Sequence, residues 1–215
     1  VAAGRSEGLA RECVVAEVDG PLVDLDRPIT KDSSLVLHKF DSEQGKEVFW
    51  HSSSHVLAQA VKRLYPDAKP TIGPPLSDGG FYYDFADLPI KEEDLARIEE
   101  EMRRIAKENL HTKRIEYSSD EQAAEQFSDN PYKLEIIKEA EGDLSAYEQG
   151  EFIDLCRGPH IPRTSMVKAV WLHKLAGAYW RGDVQNEQLT RIYGITFPDK
   201  KLLKQHKQRI EEAKK

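Results

Sequence analysis

Two cysteines among 215 residues, Cys13 and Cys156, are too few and too far apart for a disulfide framework or a CxxC metal knuckle. A reducing cytosol is the natural setting for such a chain, so a cytoplasmic location is expected. Long hydrophobic runs are missing as well. Apolar stretches such as Ala169–Leu172 are about four residues long, far short of the ~20 that span a bilayer, and no secretory leader is visible, so no membrane partner is expected. There is no excess of positive charge. Asp and Glu number 38 against 31 Lys and Arg, a net charge of −7, which excludes a generally basic nucleic-acid coat but leaves room for a local basic track. What is present is ordinary globular material: 39% hydrophobic and 32% charged residues can bury a core and argue against wholesale disorder. The length suits one full domain plus a small appendage. The chain starts at Val1 rather than Met and stops within a charged helical pattern, as expected of an excised or processed piece.

Residues 1–40 read as a small β-rich unit. Ala2–Ala10 suggests one or two helical turns. Val14–Val18 is a strand, Asp19-Gly20 a hairpin signal, Leu22–Leu25 the return strand and Leu35–Leu37 a third. So short a unit buries little surface and is expected to lean on its neighbour. The polar stretch Asp41–Lys46 reads as a junction, and a helix pattern begins at Val48 and stops at Pro66. Phe81–Phe85 follows a Gly-rich loop as a strand. Leu95, Ile98, Met102 and Ile105 form the stripe of an amphipathic helix with acidic residues at its start and basic ones at its end. Ser118 and Glu121 suggest a capping box for a short helix to Phe127. Leu134–Ile137 fits a helix or a strand equally. Phe152–Cys156 reads as a strand, Met166–Trp180 as one or two more, Gln188–Gly194 as a short strand and Lys200–Lys215 as a final helix.

Chemistry concentrates in two clusters. His51-Ser52-Ser53-Ser54-His55 puts two imidazoles four apart on one helix face, roughly opposite the Leu57, Ala60, Leu64 stripe and therefore away from the helix's own core. An isolated pair of this kind is usually a surface feature. The second cluster, Asp154-Leu155-Cys156-Arg157-Gly158-Pro159-His160, changes that reading. In an extended strand Asp154 and Cys156 share a face, and the Gly-Pro turn can fold His160 back towards it. Three imidazoles and a thiol from His51, His55, Cys156 and His160 could form a tetrahedral zinc site, or could organise a water molecule without metal. A zinc protease is a poor fit, because Ser52 stands where its helix needs a glutamate base. A papain-like Cys/His pair has no surrounding signature.

Seven motifs occur in one order: His51–His55, Ile72-Gly73-Pro74-Pro75, Gly80–Asp84, Pro131-Tyr132-Lys133, Asp154–His160, Gly177–Asp183 and Arg191–Gly194. Together they resemble the amino-terminal editing domain of the threonyl-tRNA synthetase family. Val14–Phe40, with Asp24-Leu25-Asp26-Arg27-Pro28, resembles the latter part of the β-grasp TGS domain that precedes it. The alanyl branch shares the HxxxH and CxxxH pair, but the Phe81–Asp84 and Tyr179–Asp183 blocks are closer to the threonyl branch. The resemblance implies an α+β fold. A partial TGS-like segment (1–40) would precede an editing domain (41–215) of mainly antiparallel sheet packed on helices, ending in a linker helix.

The implied activity is hydrolysis of the ester in mischarged seryl-tRNA(Thr), with the acceptor end of that tRNA as partner. The rest of a synthetase chain, its synthetic core and anticodon-binding domain, would be a further partner. One methyl group separates serine from threonine and supports only about 10–200-fold discrimination by binding, so a second site must supply the remainder. Carried over by position, the pocket holds His51, His55, Lys133, Asp154, Cys156 and His160, with Tyr83 beside it. Lys133 and His51 would hold and activate water, a neutral imidazole of reference pKa about 6.5 being suited to that task. His55 would stand with them. Asp154 would pair with the substrate's α-ammonium group. Cys156 and His160 would line the side-chain pocket, and Tyr83 would contact the terminal adenosine by stacking or hydrogen bonding. Lys62, Arg63, Arg157, Arg181 and Arg191 are candidate phosphate contacts. The threonyl likeness implies no cofactor and a metal-free site. Competing readings are a catalytically silent tRNA-binding module and a zinc-dependent alanyl-type editing protein.

Overall fold

Ser6 closes one short helix and opens another. Its hydroxyl accepts the Leu9 N–H at 3.0 Å, so α1 (Ala2–Arg5) hands over to α2 (Glu7–Glu12) in the computed structural model, which describes residues 1–215. β1 (Cys13–Val18), β2 (Leu22–Val23) and β3 (Leu35–Lys39) form an antiparallel sheet in the order β2-β1-β3. Asp19 adopts φ +54° in the β1–β2 turn, and its carboxylate accepts the Ser34 N–H at 2.9 Å, which ties that turn to the start of β3. The return strand pairs over two residues only, because Asp24 leaves the ladder for partners elsewhere in the chain. Val14 and Val15 are fully buried in the same apolar cluster as Val48, Phe49 and Val56, so this small sheet has no core of its own.

The expected junction at 41–46 is instead the first turn of α3 (Glu43–Leu64). Ser42 caps that helix by accepting the Gly45 N–H at 3.0 Å, and Glu43 lies at its positive end. Every residue from Ser52 to Val61 is buried, so His55 does not look out from a solvated face, while His51 is half-buried at the edge of this stretch. Over that stretch the helix is enclosed on all sides. Its serines make this tolerable: Ser52 and Ser53 donate to the carbonyls of Val48 and Phe49 at 2.8 Å, leaving small, satisfied surfaces against which neighbours pack.

β4 (Lys69–Pro70) and β5 (Phe81–Ala86) enter a second antiparallel sheet, α4 (Leu95–Glu108) packs beside α3, and β6 (Lys113–Glu116) begins a third sheet. α5 (Asp120–Gln126) is capped by Ser119, not Ser118. The Ser119 hydroxyl accepts the Gln122 N–H, while Ser118 is held by the Gln122 side chain. The ambiguous stretch at 134–137 lies inside α6 (Pro131–Glu139). Asn130 accepts the Tyr132 and Lys133 N–H groups and Pro131 supplies a pre-set φ, two signals that decide for helix. β7 (Ser145–Gln149) and β8 (Phe152–Leu155) complete the third sheet, β6-β7-β8, with Tyr147 opposite Asp154. The rest is β9 (Ala169–Tyr179), β10 (Gln188–Phe197) and α7 (Lys200–Ala213). β9 is one long strand, and β10 runs three residues beyond the expected end, giving the order β4-β5-β10-β9.

α3 and α4 bury Leu57, Ile98, Met102 and Ile105 against Phe81, Tyr83, Phe85 and Ile192 of the four-stranded sheet. A second, smaller core (Ala123, Phe127, Ile137, Leu144, Ala146) joins α5 and α6 to the third sheet. The molecule is thus α+β with antiparallel sheets, and no helix is long and apolar enough to cross a membrane. The polar cluster described next lies where α3, β5, β8 and α6 meet.

Candidate functional site

One turn of α3 separates His51 from His55, whose rings stand 5.4 Å apart. β8 brings Asp154 to them from a hundred residues away, with His55 Nε2 3.6 Å from Asp154 Oδ2. Just beyond the strand, Cys156 Sγ lies 3.5 Å from His51 Nε2. The Gly158-Pro159 turn returns His160 so that its Nε2 is 3.1 Å from the same sulfur. The His160 ring is 4.8 Å from His51 and 4.3 Å from His55. From α6, Lys133 Nζ reaches Asp154 Oδ1 at 2.8 Å and donates to the Thr71 carbonyl at 2.6 Å. Tyr83, from β5, donates its hydroxyl to Asp154 Oδ2 at 2.6 Å. All seven residues expected at the pocket therefore converge in one cluster.

Burial sets the charges. It pushes His51 down to about 3, with the neighbouring His55 adding to the effect. His55 is lowered by burial despite Asp154, and His160 is held well below the usual imidazole range. Three neutral imidazoles result, and His51 is a hydrogen-bond acceptor of low basicity rather than the near-neutral base the reference value suggests. Burial pushes the Cys156 thiol up to about 12 and the Tyr83 hydroxyl well above its ordinary value. Asp154 is the exception. Burial alone would raise it, but the Lys133 charge, His55 and the hydrogen bonds from Lys133 and Tyr83 bring it below the usual carboxylate range.

Tyr83 does not offer its ring to a base. The ring is buried, stacks on Phe85 at 4.9 Å and rests on Gly73, where a Cβ would come within 2.2 Å of it. Its place is under the site, as a donor to Asp154. Sequence reading also missed the supporting shell. Ser52 Oγ lies 2.8 Å from His160 Nδ1 and accepts the Ile161 N–H at 3.0 Å. Asp24 accepts the His160 N–H at 2.9 Å and the Tyr147 hydroxyl at 2.7 Å. Ser52 carried a signal, lying inside the HSSSH run, and so did Asp24, in the Asp24–Pro28 element. Tyr147 and the Thr71 carbonyl carried none.

The candidate phosphate contacts are scattered. A cleft of about 680 Å³ has Lys62, Arg63, Lys133 and Asp154 on its walls, so two of them share a space with two pocket residues. Lys62 caps the end of α3 by donating to Pro66 and Ala68, and the Arg63 guanidinium is tied to Glu101, Glu108 and Glu151. Arg157 and Arg181 line a second hollow of about 380 Å³ that also touches Cys156. Arg157 donates to the Glu141 carbonyl, and Arg181 pairs with Glu135 and Glu139. Arg191 lies on the far side of the sheet, clamped on Asp84 at 2.7 and 2.9 Å.

As to metal, the donor atoms of His51, His55, Cys156 and His160 all lie within 4.8 Å of one another, a spacing that a tetrahedral ion could gather.

Residues 144–193 match a family described as the threonyl and alanyl tRNA synthetase second additional domain, a span holding Asp154, Cys156 and His160 but neither helix histidine. A threonine–tRNA ligase of Protochlamydia amoebophila is 52% identical over 206 residues, covering 95% of this chain and 32% of that protein. Similar enzymes of Desulforamulus reducens (50% over 220 residues) and Clostridioides difficile (51% over 221) cover 100% of this chain and 34% of their own length. The chain thus spans about a third of the length of the curated relatives it matches.

Proposed function

Because this chain is related over its whole length to one third of threonine–tRNA ligases, we propose that it is their proofreading unit, hydrolysing the ester of seryl-tRNA(Thr). One observation carries the reading: a buried Lys133–Asp154 ion pair adjoins three neutral imidazoles drawn from two distant segments. Perturbed groups gathered in this way are typical of sites of chemistry.

Ester hydrolysis needs a held water and positive charge near the developing oxyanion. Lys133 supplies the charge. Held by Asp154 and the Thr71 carbonyl, its ammonium is fixed before substrate arrives and needs no reorganisation. His51, half-buried where the cluster meets solvent, accepts a hydrogen bond from the water or from a ribose hydroxyl. Asp154 carries the one full negative charge at the centre, and the seryl α-ammonium group joins Lys133 and Tyr83 there. Cys156 and His160 form the wall that a serine side chain tolerates and a threonine methyl group does not. The acceptor end approaches along the cleft walled by Lys62, Arg63 and Lys133. In the parent enzyme, threonine activation belongs to the remaining two thirds.

The test is deacylation of tRNA(Thr) charged with serine or with threonine. Serine should be released at least tenfold faster, and His51→Ala together with Lys133→Ala should abolish release. Tight tRNA binding without turnover would overturn the proposal in favour of a silent docking module.

A second reading, a zinc-dependent site, has the four-donor cluster in its favour. Bound zinc would supply Lewis acidity there. Elemental analysis of the purified protein and insensitivity of turnover to a chelator distinguish the two; stoichiometric zinc with chelator-sensitive hydrolysis would favour the second.

A further inference from the structure

Asp24 comes from the small sheet, yet its carboxylate sits beneath the loop that carries Cys156 and His160. One oxygen accepts the His160 backbone N–H at 2.9 Å and the other accepts the Tyr147 hydroxyl at 2.7 Å, and the residue is only 9% exposed. Tyr147 in turn underlies the loop directly: its ring is 4.3 Å from the His160 ring, and a Cβ on Gly158 would come within 2.0 Å of its hydroxyl. Arg114 donates both to that hydroxyl (3.2 Å) and to the Arg157 carbonyl (2.8 Å). The loop's backbone at His160, and the Tyr147 ring beneath it, are therefore held by a carboxylate some 130 positions earlier in the chain.

We propose that Asp24 is a positioning residue of the hydrolytic site, so that the β1–β3 sheet is a working part of that site rather than a tethered appendage. The proposal rests on the editing reading for its kinetic consequence, but its structural consequence stands apart from that reading. Asp24 touches neither Lys133 nor Asp154, so it acts through the loop and leaves the charged centre in place. A buried two-way acceptor of this kind also has no substitute nearby. Removing it frees a backbone N–H and a phenol that water must then reach.

The experiment uses the whole 215-residue chain and four proteins: wild type, Asp24→Ala, Asp24→Asn, and Asp26→Ala as a control in the turn that follows β2, where both Asp26 and its His111 partner are exposed. Two readouts are taken well below each protein's unfolding midpoint: kcat and KM for seryl-tRNA(Thr), and the rate at which iodoacetamide labels Cys156, located by peptide mass spectrometry. Asp24→Ala should lower kcat at least tenfold with KM within twofold, and should speed Cys156 labelling at least fivefold. Asp24→Asn keeps the acceptor for His160 but denies the Tyr147 hydroxyl its own, and should fall between, with partial recovery of both readouts. Asp26→Ala should match wild type. Should Asp24→Ala fail to fold, the Asn variant alone decides. Wild-type kcat and labelling in the folded Asp24 variants would overturn the proposal. A wild-type chain that releases no serine, while Asp24 substitution still accelerates labelling, would instead count against the editing reading and leave the positioning role standing.

Discussion

The Lys133 ammonium lies 2.8 Å from the Asp154 carboxylate, with side-chain exposures of 5% and 3%. A buried ion pair gains little over an apolar pair of the same shape, but breaking it leaves one charge in a medium that cannot solvate it. Lys133→Met should therefore cost about 3–5 kcal/mol of stability at pH 7. In wild type the carboxyl is below its ordinary value, so its contribution is complete above about pH 4 and fades as pH falls through the folded value. Without Lys133, burial dominates and raises that carboxyl, so the variant should recover part of its deficit at pH 5. Urea unfolding at pH 7 and pH 5 checks both, and a deficit under 1 kcal/mol at pH 7 would contradict the burial argument.

The three cluster histidines make a separate pH prediction. Each is lowered on folding, His51 to about 3, so between the unfolded value near 6.5 and the folded value the unfolded chain binds more protons. Stability is complete above about pH 6.5 and declines below it, by about 1.4 kcal/mol per pH unit for each histidine that stays neutral. His51→Gln should shallow the decline by roughly one histidine's share. Urea midpoints that stay flat from pH 7.5 to pH 5 would show the imidazoles to be hydrated.

Gly73 has no room for a side chain, since a Cβ would meet the Tyr83 ring at 2.2 Å. Gly73→Ala should destabilise by about 1–3 kcal/mol, as overpacking does, and should slow hydrolysis by pulling the Tyr83 hydroxyl off Asp154. Tyr83→Leu relieves the same clash, so the double variant should cost less than the sum of the two singles. Strict additivity in thermal unfolding would place the strain elsewhere.

Arg63 joins α3 to α4 and to the β7–β8 turn through Glu101, Glu108 and Glu151. Its hydrogen bond lowers Glu151 to about 2, but that carboxylate is 56% exposed, and solvent screening limits the pair. Arg63→Ala should cost about 1 kcal/mol at pH 7. The gap to wild type should shrink as pH falls below the ordinary glutamate range towards 2, because the lowered carboxyl loses its advantage there. A gap independent of pH would assign the loss to apolar packing of the arginine stem.

Local signals carried most of the element order. The α4 stripe, the Asp19 turn and the Phe81–Phe85 strand each rest on residues within a few positions of one another, so the chain itself displays them; the Asn130-Pro131 start of α6 was as local but was not read, which left 134–137 undecided. Errors arose where distant packing overrode local pattern. α3 looks half-polar because of its serines, yet it is the most enclosed helix, since hydroxyls that bond to their own helix can be buried. One error was purely local: Ser119 displaced Ser118 as a cap by a shift of one residue. Tyr83 looked like a ligand contact, and the sheet it belongs to turned its ring inward.

Residue types and spacing alone determined that two imidazoles share a helix face, that an acid and a thiol stand two residues apart at the end of one strand, and that a Gly-Pro turn could return a third imidazole to them. Only the tertiary structure decided that Lys133 and Tyr83 claim Asp154, that the three imidazoles are neutral, and that Asp24 underpins the loop from the other end of the chain. The physical reason is that charge state and long-range pairing depend on what excludes water from each group. That exclusion is a property of packed neighbours rather than of the order in which residues follow one another.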